Sequence, residues 1–273
     1  MRKLFVCIAL GLTTLTGNAA SPLWMRDVQI SPDGTEIAFC YKGDIYKVSA
    51  GGGTAIQLTT QPSYECTPIW SPDSKQIAFA SDRNGNFDIF VMPATGGTAQ
   101  RLTTHSSSEL PSAFTPDGKY ILFSASIQDP SQSALFPTTA MTELYKVPVN
   151  GGRTEQVLGT PAEAVCYAPS GEFFLYQDRK GFEDEWRKHH TSSITRDIWL
   201  YDTKTGKHTN LTNHAGEDRN PVLSPDGKSV YLLSERKGSF NVYSFPLDNA
   251  QDLKAVTSFK THPYDKCNLL PIR

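Results

Sequence analysis

Four aspartates hold the third place of one recurring tetrad: Ser31-Pro32-Asp33-Gly34, Ser71-Pro72-Asp73-Ser74, Thr115-Pro116-Asp117-Gly118 and Ser224-Pro225-Asp226-Gly227. A carboxylate repeated beside a hydroxyl has the parts for acid–base work. Its neighbours argue for a different task. Pro presets φ at a turn corner, Asp bonds back to a nearby N–H, and Gly supplies a positive φ. These acids are turn residues. Ser, His and Asp are all present for a nucleophilic triad, but there is no G-x-S-x-G elbow and no strand–helix alternation of an α/β-hydrolase. No catalytic residue is assigned. His189-His190, with Glu183, Asp184 and Glu185 nearby, are ligand types; adjacent His side chains diverge, however, and no H-x-x-x-H spacing puts two on one face. No metal is expected. No cofactor is expected either: the Gly51-Gly52-Gly53 run and the other Gly pairs read as turns, since no helix follows to receive a phosphate.

The elements that carry these residues form a repeat. A degenerate tetrad, Ala168-Pro169-Ser170-Gly171, fills the gap between the third and last copies, and each copy is followed by the same grammar. First comes an apolar run (Ile37-Ala38-Phe39, Ile77-Ala78-Phe79, Ile121-Leu122-Phe123, Phe173-Phe174-Leu175, Val230-Tyr231-Leu232). Next is an Asp-Ile-Tyr-like run (Asp44-Ile45-Tyr46, Asp88-Ile89-Phe90, Leu144-Tyr145-Lys146, Asp197-Ile198-Trp199, Asn241-Val242-Tyr243). A closing run such as Gln57-Leu58-Thr59, Arg101-Leu102-Thr103 or Asn210-Leu211-Thr212 ends the unit. Short runs of β-branched and aromatic residues between turn formers are half-buried strands. Four strands in a unit of roughly forty residues make a propeller blade. The expected fold is an all-β propeller of five blades, at residues 21–60, 61–104, 105–159, 160–213 and 214–259. Trp70, Phe79, Phe90 and Trp199 are expected between blades. The Asn210-Leu211-Thr212 sequon coincides with a closing strand and reads as structure.

Composition sets the remaining limits. Of 273 residues, 26 are Lys or Arg and 28 Asp or Glu, giving a formal net charge of −2. A balanced surface gives no electrostatic case for nucleic acid or an anionic membrane. Residues 1–20 read as an export signal: Arg2 and Lys3, an apolar run from Leu4 to Leu12, then Gly17-Asn18-Ala19-Ala20. The mature chain is expected to begin near Ser21, in a bacterial periplasm or outside the cell. No later segment is long and apolar enough for a transmembrane helix. Cys40, Cys66, Cys166 and Cys267 follow no metal or disulfide spacing.

The unit resembles the TolB-type propeller repeat across nearly the whole mature chain; Ser71 to Thr103 is the clearest copy. Two features are similar to the N-terminal propeller of tricorn-type secreted serine proteases. One is Pro22-Leu23-Trp24-Met25-Arg26 running directly into the first blade. The other is a charged insertion in the fourth blade, Lys180 to Arg196, which contains Trp186, Arg187, His189 and His190. The resemblance implies a six-bladed domain that filters access of peptides to a PDZ-containing protease whose catalytic core lies outside this sequence. On this reading the chain is non-catalytic and its ring is incomplete, with residues 264–273 outside the repeat. Open blade faces then invite self-association.

Two groups are candidates for contact with peptides, a protein partner or further domains. The first is a set of charges just before each tetrad, at the expected channel rim: Arg26, Asp27, Glu65, Glu109, Asp218 and Arg219. The second is the insertion, with Trp186, Arg187, His189 and His190 as anchor types. The alternative is a TolB-like periplasmic interaction scaffold. A small domain ahead of the propeller is expected of a TolB protein, and here the first blade starts within about ten residues of the signal.

Overall fold

The computed structural model describes residues 25–127, 142–181 and 192–260. The described residues fold into five four-stranded antiparallel sheets, each a meander in chain order. The first blade holds β1 (Met25–Ile30), β2 (Glu36–Tyr41), β3 (Asp44–Ser49) and β4 (Ile56–Gln57). The second holds β5 (Glu65–Trp70), β6 (Gln76–Ser81), β7 (Asp88–Pro93) and β8 (Gln100–Arg101). The third holds β9 (Glu109–Phe114), β10 (Tyr120–Ala125), β11 (Glu143–Pro148) and β12 (Glu155–Leu158). The fourth holds β13 (Ala162–Tyr167), β14 (Phe173–Asp178), β15 (Ile198–Asp202) and β16 (His208–Asn210). The fifth holds β17 (Asp218–Leu223), β18 (Ser229–Ser234), β19 (Asn241–Pro246) and β20 (Lys254–Ala255).

Each recurring motif closes one part of a blade. In the first tetrad the Ser31 hydroxyl donates to Asp33 Oδ1 at 2.6 Å and accepts the Glu36 N–H at 3.0 Å, while Asp33 also takes the Thr35 N–H at 2.9 Å. The same pattern recurs around Asp73, Asp117 and Asp226. Hydrogen bonds to the ionised form hold all four carboxyls below their ordinary range, Asp33 at about 2. These are structural carboxylates. The closing Thr is a second clasp: its hydroxyl accepts the first buried N–H of the third strand. Thr59 takes Ile45, Thr103 takes Ile89, Thr212 takes Ile198 and Thr257 takes Val242, all at 2.9–3.0 Å. The short outer strands β4, β8 and β20 are thereby held with only two residues in the ladder.

The core lies between blades, because strand alternation gives every sheet two apolar faces. Ile77, Phe79, Phe90 and Met92 face the first blade, beside Ala38, Cys40 and Ile45; Trp70 joins them. Ala78, Ile89 and Val91, from the other face of the same sheet, meet Ile121, Phe123, Tyr145 and Val147 of the third blade. The next two interfaces repeat the scheme, around Phe174 and Tyr176, then around Leu175, Ile198, Tyr243 and Phe245. Trp199 packs half-buried against the third of these clusters. Successive innermost strands β1, β5, β9, β13 and β17 contact one another in order. That order is the ring.

Candidate functional site

The innermost strands are shaped by one irregularity. The register with the second strand slips between Arg26 and Gln29, Cys66 and Ile69, Glu163 and Cys166, and Arg219 and Val222. At each slip the third residue adopts a left-handed backbone: Asp27 at φ 50°, Thr67 at 49°, Ala164 at 49° and Asn220 at 51°. Such a conformation costs a non-glycine residue about 1 kcal/mol or more, and four copies mark the bulge as a built feature. In the third blade that position is Pro111, whose ring fixes φ negative, and the slip lies between Pro111 and Ala113, opposite Phe123 and Leu122. Neighbouring blades brace the bulges. Asp27 Oδ2 accepts the Thr67 N–H at 3.1 Å, and Gln177 Oε1 accepts the Asn220 N–H at 2.9 Å.

The acids singled out for the channel rim lie inside the protein. Glu65 is fully buried; it accepts hydrogen bonds from the Ser63 and Ser81 hydroxyls and pairs with Arg83 at 3.1 Å. Asp218, also fully buried, pairs with Arg236 at 2.7 Å, and Arg236 Nε donates to Ser234 Oγ. These two sites are one device repeated: an acid opens the first strand, a Ser ends the second opposite it, and an Arg two residues later caps both. Glu109 is buried in the same place, but it faces Ala125 and lacks that arginine. Burial pushes its carboxyl up to about 7; Thr103 and Arg101 pull it down, and Asp88 pushes it further up. Asp27 is buried, Arg219 is half-buried over the Phe240 ring at 4.6 Å and bonded to Glu217 at 3.0 Å, and Arg26 is exposed. Four of the six, Asp27, Glu65, Asp218 and Arg219, therefore join strands or blades, while Glu109 is buried without such an ion pair and Arg26 faces solvent.

A further set, not anticipated from sequence, anchors the base of the fourth-blade insertion. Lys180 bridges Asp197 at 2.7 Å and Asp178 at 3.4 Å, Arg196 pairs with Glu217 at 2.6 Å, and Arg179 pairs with Glu163 at 3.0 Å. Trp186, Arg187, His189 and His190 lie outside the described residues, as do residues 1–20, expected to be an export signal, and residues 264–273. The signal that finds the anchor is the shared ending of the second strands: Ser81-Asp82-Arg83, Asp178-Arg179-Lys180 and Ser234-Glu235-Arg236.

At the opposite, tetrad end of the innermost strands lies a cavity of about 650 Å³. Its wall comes from β1, β13 and β17 and the turns that follow them, with Ser112 from β9. Gln29, Ile30, Tyr167, Asn220 and Val222 are representative, and no charged side chain contributes to the lining. Two bulge residues, Ala164 and Asn220, are among the wall, so the strained backbone shapes it directly. A pocket of this size, apolar with a few neutral hydrogen-bonding groups, suits an uncharged extended segment. Among the described residues no group of three His, Cys, Asp or Glu is placed to hold a metal ion, and no helix is long and apolar enough to cross a membrane.

Comparison with known proteins agrees with this architecture. Residues 22–270 match the model of the tricorn protease N-terminal β-propeller domain. The crystal structure of the tricorn protease superposes with a TM-score of 0.72 at 21% identity, covering 88% of this chain and 23% of that one. A TolB-type protein from Agrobacterium tumefaciens superposes with a TM-score of 0.70 at 18% identity, covering 87% of this chain and 82% of that one. Among curated proteins, an uncharacterised peptidase of Bacillus subtilis, YuxL, is 32% identical over 72 residues, or 26% of this chain. The match spans only 10% of that relative's length.

Proposed function

From the premise that the chain belongs to the family of tricorn protease N-terminal β-propeller domains, we propose that it is a non-catalytic binding module for uncharged, extended polypeptide segments. The observation that carries this reading is the cavity at the tetrad end of the innermost strands, whose lining holds no charge. Backbone amides of an extended segment find neutral partners in Gln29, Ser112 and Asn220, and small apolar side chains find Ile30, Val165 and Val222. A charged segment would lose its hydration there without a compensating ion.

The reading includes export through residues 1–20 and action on peptides or a protein partner outside the cytoplasm. A TolB-like interaction scaffold is the second reading, supported by the likeness in fold to the Agrobacterium protein. The same cavity serves either role.

The test is binding of short fluorescent peptides to the purified protein, one series free of charged residues and a matched series carrying Glu. The neutral series should bind, and Ala164→Phe, which fills the cavity from its wall, should weaken binding about tenfold or more. Equal binding of both series, or an Ala164→Phe protein that binds as well as the parent, would refute the cavity as the site. Peptide hydrolysis by the purified chain, abolished by a serine-directed inhibitor, would overturn the non-catalytic part.

A further inference from the structure

Where an innermost strand bulges, its third residue turns its N–H toward the blade before, and a side chain there accepts it. Thr67 donates to Asp27 Oδ2 at 3.1 Å, and Asn220 donates to Gln177 Oε1 at 2.9 Å. The two acceptors stand at different places. Asp27 is the third residue of β1, and Gln177 is the fifth residue of β14. Backbone donors inside a protein are almost always paired, and these side chains pair the donors that the bulge takes away from the ladder.

Ala164 holds the same place in β13, with the same left-handed backbone at φ 49°. Among the described residues no side chain accepts its N–H. The third blade offers neither counterpart. Pro111 stands where Asp27 does and carries no polar side-chain atom. Ser124 stands where Gln177 does, but it is shorter, and its hydroxyl donates to the Ala162 carbonyl at 2.9 Å. Ala164 is half-buried and forms part of the wall of the 650 Å³ cavity.

The surroundings select the acceptor. The cavity wall holds no charged side chain, so a carboxylate brought to this N–H would lose its hydration with no cation to offset the loss. A neutral carbonyl meets no such cost. Ala164 also has the smallest side chain of the four left-handed residues, the others being Asp27, Thr67 and Asn220, so its own methyl group leaves the approach to the N–H open. An extended polypeptide presents a backbone carbonyl on one edge at every second residue, about 6.6–6.8 Å apart. Contact through such carbonyls gives affinity from the main chain and leaves selectivity to the pockets around it.

We infer that the Ala164 N–H is the anchor of the cavity: it donates to a backbone carbonyl of the bound neutral segment, which supplies the hydrogen bond that Asp27 and Gln177 supply at the other bulges. The inference rests on the cavity being a polypeptide site and adds how the segment is held there. Recognition through the main chain makes the site tolerant of sequence among uncharged segments.

Amide hydrogen exchange of the full chain, resolved by NMR with and without a saturating peptide of the neutral series, tests this. In the free protein the Ala164 amide should exchange about tenfold or more faster than those of Thr67 and Asn220. The peptide should slow it by a similar factor and leave Thr67 unchanged. An Ala164 amide as protected as the other two before peptide is added, or one that bound peptide does not slow, would overturn the anchor while leaving the cavity as the binding site. Pro111→Asn gives a second readout: it restores an acceptor at the place of Asp27 and should weaken peptide binding about tenfold, while Pro111→Ala, which offers none, should bind as the parent does. Equal affinities of the Asn and Ala variants would also overturn the anchor. A protein that binds no neutral peptide would refute the anchor and the polypeptide site together.

Discussion

Replacing Glu109 by Gln should stabilise the protein at alkaline pH and leave it nearly unchanged at acid pH. The carboxyl is buried opposite Ala125, where Glu65 and Asp218 have a Ser and an Arg. Burial raises it from 4.5 to about 7. Between those two values the folded protein holds a proton that the unfolded chain releases, so stability falls as pH rises across this window and levels off above it. Each pH unit is worth about 1.4 kcal/mol, so the ionised carboxylate costs on the order of 3 kcal/mol at the top of the window. Gln keeps the shape and the hydrogen-bonding capacity without the charge. Allowing for imperfect accommodation of its amide, the gain should be about 2 kcal/mol near pH 8, or roughly 4–8 °C in Tm for a domain of this size. Thermal unfolding of both proteins from about pH 5 to about pH 8 measures it. Parallel Tm profiles over that range, or a Gln variant that loses stability more at the alkaline end, would refute the reasoning.

Other changes test the remaining joints of the fold. Phe79→Ala removes a fully buried ring between the first two blades and should cost about 3–5 kcal/mol. Phe39→Ala, on the opposite face of the first blade, removes a ring that is buried chiefly by its own blade, stacked on Tyr46 at 5.8 Å beside the half-exposed Ile37; it should cost clearly less, and equal losses in denaturant unfolding would contradict that difference in packing. Thr103→Val leaves the buried Ile89 N–H without its acceptor and should cost about 1–3 kcal/mol. Asp33→Asn should lower Tm at neutral pH, and the deficit should close as pH falls from 3.8 through about 2. That follows because the folded carboxyl lies below its unfolded value. A deficit that persists at the acid end would show that charge is not what the turn requires.

Much of this protein is legible from local chemistry. The tetrads, the apolar doublets and the closing Thr each specify a turn, a two-faced strand or a clasp using only near neighbours, so five antiparallel meanders follow from the sequence itself. The functional reading was less legible for a specific reason. Glu65, Glu109 and Asp218 open strands that line a ring, and charge at that place suggests an exposed rim. Whether such an acid meets water or an arginine depends on Arg83 and Arg236, eighteen residues later, and on the neighbouring blade that closes over the pair.

Sequence alone therefore determined the blade, because its turn, ladder and clasp bonds join residues of one repeat. The tertiary structure decided which faces are dry, where the uncharged cavity lies, and that Glu109 is the acid without the arginine its counterparts have. Those outcomes arise where strands from different repeats meet, and burial there is a property of the stacked ring rather than of any single segment.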